Sequence, residues 1–197
     1  MPVRREPQPP VRWPAGAIFT VGHSNVSVET FVALLRAYEI ERLADIRTVP
    51  RSRHNPQFNA DALASALAAN DIEYVPLQAL GGLRHPRKNS PNTGWRNEGF
   101  RGYADYMQTP PFAKGLERLI DMSRDRRTAI MCAEAVPWRC HRSLIADALV
   151  VRGVAVEHIL GASRTQPHTL RPWAVVQDAR IIYPPPVGDD VGDAHSP

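Results

Sequence analysis

Thr128–Val151 reads TAIMCAEAVPWRCHRSLIADALVV, and its reading decides the fold. Thr128–Glu134 opens as a short apolar, β-prone run and so predicts a buried strand. Ala135–Arg139 is a loop. From Cys140 the apolar positions recur at helical spacing up to Gly153, a glycine suited to end a helix. The segment is therefore a strand, a turn and a helix. The turn carries Cys132, Glu134, Trp138, Arg139, Cys140, His141 and Arg142. A helix start exposes free N–H groups and a partial positive charge, which favours an anion.

Working outward, the same alternation repeats. Ala17–His23 (AIFTVGH) predicts a strand, and Ser27 caps a helix over Val28–Tyr38 with Phe31, Leu34, Leu35 and Tyr38 at helical spacing. Arg42–Thr48 predicts the second strand, Ala60–Ala69 an alanine-rich helix and Asp71–Leu77 a third, shorter strand. Tyr103–Met107 begins a helix that Thr109-Pro110-Pro111 breaks, and Phe112–Ser123 forms the next. Ala155–Leu160 is the last core strand. Strands alternating with helices predict an α/β fold: a three-layer sandwich, with a mostly parallel sheet of about five strands and helices on both faces.

The 197 residues suit one domain. Residues 1–16, rich in Pro and Arg, are expected to be a disordered arm, 17–176 a single α/β domain, and 177–197 a disordered Pro- and Asp-rich tail. A leader is not expected, because Met1–Pro14 lacks an apolar segment. No apolar run approaches the ~20 residues of a membrane span. Two cysteines are no disulfide framework, so a reducing, cytoplasmic setting is expected. The formal charge is +4, carried almost wholly by arginine, with Lys88 and Lys114 the only lysines. Arginine binds phosphate or carboxylate in bidentate fashion.

The reactive residues fall just past strand ends, where open α/β sheets hold ligands. His23 and Ser24 end the first strand. Asp45 and Arg47 alternate on the second, either as a buried pair or as ligand contacts. Arg51, Arg53 and His54 follow in a Pro-punctuated loop. Gly81 and Gly82 permit a tight turn or a close approach to a ligand. The 78–102 segment is long, basic and interleaved with Trp95 and Phe100. It suits a lid over an anionic ligand or a nucleic-acid surface, or else a loop pinned by its own aromatics.

Three chemistries compete at the central turn. A cysteine at a helix start beside Arg and His is an activated-thiol arrangement, with Cys132 or Cys140 as nucleophile. Cys132 and Arg139 are one residue further apart than in phosphatase loops, and no glycine lies between them, which weakens an amide cradle. Glu134 with His23 or His141 could move protons instead. Metal is disfavoured, because the neighbours Cys140 and His141 cannot readily share one tetrahedral ion and no Cys-x-x-Cys pair exists. No nucleotide-cofactor fingerprint is present, so the cofactor stays unknown.

The motifs TVGHSN (20–25), LADIRTVPRSRHNPQF (43–58), LGG (80–82), GFRGYADYM (99–107), MCAEAVPWRCHR (131–142) and EHIL (157–160) occur in that order. In this the chain resembles the bacterial and archaeal domain of unknown function 488 family, over about Ala17–Leu160. The resemblance implies a compact α/β domain and supplies no reaction. It marks His23, Ser24, Asp45, Arg47, Pro50, Ser52, Gly81, Gly82, Cys132, Glu134, Cys140, His141 and Arg142.

The expectation is thus an enzyme for a small anionic, phosphorylated or nucleotide-like substrate. Catalysis would rest on Cys132, Glu134, Cys140 and His23. Ser24, Asp45, Arg47, Arg51, Arg53, Gly81, Gly82, Trp138, His141 and Arg142 would bind the ligand. The alternatives are a nucleic-acid module using the 78–102 loop, and a non-catalytic ligand-binding regulator. The sequence does not fix the oligomeric state.

Overall fold

A computed structural model describes residues 13–185. Its main sheet has six strands in the order β3-β2-β4-β1-β5-β6. These are β1 (Ile18–Gly22), β2 (Arg42–Asp45), β3 (Glu73–Pro76), β4 (Thr128–Cys132), β5 (Val156–Gly161) and β6 (Arg164–Pro167). All neighbouring pairs are parallel except β5–β6, which is antiparallel and irregular between Ile159 and Gly161.

Helices cover both faces, as a parallel sheet requires. On one face, α1 (Val28–Ala37) and α2 (Ala60–Ala68) bury Phe31, Val32, Leu35, Leu63 and Leu67 against Phe19, Val21, Leu43 and Met131. Ser27 caps α1 by accepting the Thr30 amide. On the other face lie α3 (Glu98–Tyr106), α4 (Pro110–Asp125) and α5 (Arg142–Val150), with Tyr103, Phe112, Leu116, Leu144, Ile145 and Leu149 packed on Ile18, Ala44 and Ile130. Eight consecutive residues of α5, Arg142–Leu149, are buried, so the helix has no solvent face. Burying each large aliphatic side chain contributes about 1.5–3 kcal/mol. No helix among the described residues is long and apolar enough to cross a membrane.

β1 and β4 are neighbours, but their chains leave in opposite directions: β1 leads to α1 on one face, β4 to α5 on the other. This opens a crevice outside their carboxyl ends, the preferred ligand position of such sheets.

The expected mostly parallel sheet is present, and β6 adds an antiparallel edge strand to it. Two expectations need correction. Residues 98–102 belong to α3, which Asn97 caps by accepting the Phe100 amide, so the irregular segment is shorter than 78–102. The proposed tail begins too early: β7 (Val175–Gln177) and β8 (Arg180–Ile182) pair as a ribbon, and Ile181 and Tyr183 are buried in the core. The expected arm also contributes packing, since the Trp13 ring lies edge-on to Phe19 at 5.2 Å. Residues 1–12 and 186–197 lie outside the described residues.

Candidate functional site

Strand alternation splits the carboxyl edge into two neighbouring halves. Thr20 and Gly22 on β1 and Cys132 on β4 face α5, while Val21 and Asp45 face the α1–α2 layer, where His23 also packs.

The first half is an open cleft of about 460 Å³. Its lining includes His23, Ser24, Arg47, Arg51, Ser52 and Glu134. Asp45 is buried, and its carboxylate accepts from the Arg47 amide and guanidinium and from the Tyr74 hydroxyl. It therefore aims Arg47 and has no oxygen left for a ligand. Burial and then the Asp45 carboxylate hold the Tyr74 phenol above its ordinary range, so its hydroxyl stays protonated. Arg47 spends three of its five N–H on Asp45 and His23. His23 stacks on Phe58 at 4.1 Å and donates Nδ1–H to the Ser24 carbonyl at 2.8 Å. Its Nε2 accepts from Arg47 at 3.3 Å. Burial, then the Ser24 hydrogen bond opposing it, then Arg47, set its pKa below the usual imidazole value, so the ring is neutral. Ser24 has a left-handed backbone (φ 49°), a conformation costly for serine that β1 and β4 impose through the Ser24 amide bond to Ala133. Arg51 is exposed on the rim, whereas Arg53 is exposed and outside the cleft lining.

The second half is the thiol cluster. Cys132 Sγ, Cys140 Sγ and a His141 ring nitrogen lie within 4.8 Å of one another. A short 3-10 turn, Pro137–Arg139, doubles the chain back and places Cys140 over the end of β4. Cys132 is partly exposed and Cys140 is only 4% exposed. Cys140 Sγ is 3.6 Å from His141 Nδ1. The Cys140 S–H, His141 and the Glu134 amide all point charge at Cys132, driving its thiol far below the usual range. Sharing one proton drives Cys140 the opposite way.

Arg142 supplies the compensating charge. It is 1% exposed, and its Nη2 donates to the Ala135 carbonyl at 2.6 Å. Its Nε and Nη1 are buried without a hydrogen-bond partner. Burial pulls its guanidinium down, and Cys140, Cys132 and Glu134 pull it back up. A unit charge pair about 4 Å apart at an effective dielectric near 20 gains about 4 kcal/mol. That is comparable to the several kcal/mol that burying one ion costs, so a thiolate and Arg142 stabilise each other.

The glycines make room for this packing. A Cβ on Gly22 would lie 2.6 Å from Arg142 Nη1, and one on Gly82 would lie 2.9 Å from His141 Nδ1. Gly81 is equally tight against Thr48 Oγ1, at 2.7 Å, and the Thr48 hydroxyl donates to the Gly82 carbonyl.

Cys132, Cys140 and His141 are also the one group of metal-ligating side chains found among the described residues. The neighbours Cys140 and His141, expected not to share one tetrahedral ion readily, here bring donor atoms close together. Three such donors suit a soft tetrahedral ion. The charge balance argues against one. A single thiolate neutralises Arg142, whereas two thiolates plus a divalent ion are neutral together and leave Arg142 only Glu134 as counter-charge.

Behind α5 lies a polar network that sequence reasoning missed apart from His158. Thr20 O–H bonds His158 Nδ1 at 2.7 Å, His158 Nε2 bonds His168 Nδ1 at 2.8 Å, and His168 Nε2 bonds Asp147 at 2.7 Å. Arg171 and Tyr183 complete the Asp147 shell. One tautomer per ring satisfies the whole chain, and burial pulls His158 down to about 3. Trp138, 57% exposed, borders a hollow of about 230 Å³ over this network, away from the cleft.

The basic loop is fastened down. Arg84 stacks on Tyr106, and the Arg87 amide, Ser90 and Asn92 all donate to the Asp105 carboxylate. Trp95 is packed against Phe100, Trp173 and Tyr183. A larger opening at the amino edge, about 600 Å³, is lined by charges that pair with each other, such as Arg127 with Glu39.

The molecule is thus an α/β domain with its reactive side chains gathered at a switch point of a parallel sheet. Residues 27–149 match the family model described as Domain of unknown function DUF488, and the chain belongs to that family. The match takes in β4, the thiol cluster and the Arg47 loop, while β1 with His23 lies ahead of it. No curated protein and no solved structure matches the chain.

Proposed function

We propose that the protein is an enzyme that holds a small anionic substrate at the carboxyl edge of its sheet and attacks it with the Cys132 thiolate. The observation that carries this reading is the gathering of Cys132 Sγ, Cys140 Sγ and a His141 ring nitrogen within 4.8 Å of one another at a partly exposed residue, with the buried Arg142 as counter-charge. Arg47 and Arg51 in the adjoining cleft supply the anion contacts, with Ser24 beside them. Asp45 and His23 are positioning residues for Arg47. Glu134, at the rim, accepts from the Val136 amide and shapes the turn. Two free cysteines fit a reducing, cytoplasmic setting.

Nucleic-acid binding through the basic loop has less support, because stacking platforms need free aromatic faces and those of Trp95 and Phe100 are spent on packing. A non-catalytic regulator would bind the same anion without a reactive sulfur.

The test is alkylation of the full chain by iodoacetamide at pH 6, with each cysteine mapped by mass spectrometry. Cys132 should react fastest, and inorganic phosphate or sulfate should slow it. Arg51→Ala, at an exposed position, should remove most of that protection. A Cys132 as slow as an unfolded thiol would overturn the proposal, as would full protection persisting in Arg51→Ala and Arg47→Lys alike.

A further inference from the structure

We propose that Cys132 and Cys140 form a working dithiol: Cys132 opens the sulfur–sulfur bond of a small anionic disulfide, and Cys140 resolves the mixed disulfide. This rests on the reading of Cys132 as nucleophile and adds the substrate class. Three observations lead to it.

The first is the pairing itself. The two sulfurs lie within 4.8 Å, although seven residues separate them in sequence. A second thiol this close to the nucleophile serves no purpose in simple acyl or phosphoryl transfer. In exchange at sulfur it is the second reactant.

The second is the division of exposure. Cys132 is partly open and Cys140 is covered. A substrate therefore meets Cys132, the more exposed of the two, first. His141 Nδ1, 3.6 Å from Cys140 Sγ, is placed to take its proton.

The third is the state of the turn's backbone. Chemistry at carbon or phosphorus needs free amides for the developing oxyanion. Here three of the turn's amides are committed, Val136 to Glu134, Arg139 to the Val136 carbonyl and Cys140 to the Pro137 carbonyl, which leaves those of His141 and Arg142 at the start of α5 without a backbone partner. The Glu134 amide is turned to Cys132. Attack of thiolate on a disulfide sulfur develops no oxyanion, so the turn lacks nothing that reaction requires.

The steps balance. The Cys132 thiolate attacks one sulfur of R–S–S–R′, a Cys132–S–S–R bond forms, and R′–S⁻ leaves and takes a proton from water. His141 then accepts the Cys140 proton. The Cys140 thiolate attacks Cys132 Sγ, the Cys132–Cys140 bond forms, and R–S⁻ leaves with the proton returned through His141. The protein dithiol gives up two electrons, and the substrate disulfide becomes two thiols. A further turnover consumes an external dithiol, which dithiothreitol supplies in vitro. The arginines of the cleft favour carboxylate-bearing disulfides.

The experiment uses the reduced, desalted full chain and dithionitrobenzoate, a dianionic aromatic disulfide, at one reagent per protein. The expected result is two thionitrobenzoate ions released per protein, the second in a concentration-independent phase. Peptide mapping should then find a Cys132–Cys140 bond. Cys140→Ser should release one ion and keep the adduct on Cys132. The neutral dithiodipyridine should react more slowly relative to a free-thiol standard, by about tenfold. A stable one-ion adduct on wild-type Cys132 would overturn the dithiol step and leave the nucleophile standing. Thiols that stay inert would overturn both, and a stoichiometric metal whose chelation unmasks them would reassign the cluster as a metal centre.

Discussion

Gly22 shows how tightly single residues are specified at the sheet edge. A side chain there would bring its Cβ 2.6 Å from Arg142 Nη1 and into the Glu134 carbonyl. Gly22→Ala must therefore move β4's exit or the guanidinium, and overpacking of this kind costs about 1–3 kcal/mol. Gly161→Ala, with nothing within 4 Å of the new Cβ, should stay within about 0.5 kcal/mol of wild type. Urea denaturation of the two variants checks the contrast, and equal midpoints would mean that the Gly22 contact is not tight. The same residues show what sequence reading reached. Cys132, Cys140, His141 and Arg142 were legible as a cluster because they share one turn. That Asp45 serves Arg47, and that His23 is held neutral, depends on the Tyr74 hydroxyl and on the Phe58 ring, which arrive from other elements.

At the scale of elements, the β7–β8 ribbon carries the largest difference between expectation and structure. The alternation of β1, α1, β2, α2 and β3 is visible in local patterning, and so is the β4–α5 unit. The ribbon is not. Its strands are three residues each, and the flanking Pro and Asp give it the composition of a tail. What orders it is tertiary: Tyr183 is fully buried, its ring meets Trp95 and Trp173, and its hydroxyl donates to Asp147 at 2.8 Å. Tyr183→Ala should cost about 3–5 kcal/mol, the usual loss for a buried aromatic. Tyr183→Phe should cost about 1–3 kcal/mol, because it leaves Asp147 short of one donor. Wild-type stability in Tyr183→Ala would return the ribbon to the status of a tail. The antiparallel β6 escaped for a similar reason: Arg164–Pro167 is polar and mostly exposed, so it has no alternation to read.

For the whole molecule, two buried networks flank α5, and both lose stability as pH falls. His158 is buried neutral, with its pKa lowered to about 3. In the unfolded chain it titrates near 6.5. Between those values the unfolded state binds more protons, so stability is complete above about pH 6.5 and falls as pH drops toward 3. His23, also lowered, acts in the same direction. Urea midpoints measured from pH 7.5 to 4 should decline over this window, and the decline should be shallower in His158→Gln. A profile identical in the two proteins would show that His158 is protonated in the folded state. The Cys132–Arg142 pair acts in the same direction over a wider window that contains this one. A thiol lowered in the folded state adds stability that is present above the free-thiol value near 8.5 and is lost as pH falls toward the folded value.

The most direct test of the central claim is the ultraviolet thiolate absorbance of the reduced protein, titrated from pH 4 to 9 in wild type, Cys132→Ser and Cys140→Ser. The account predicts one thiolate per wild-type molecule already present at pH 6, absent in Cys132→Ser and retained, with a raised pKa, in Cys140→Ser. No thiolate below about pH 8 in the wild type would contradict it, and Arg142 would then be a buried charge without its anion.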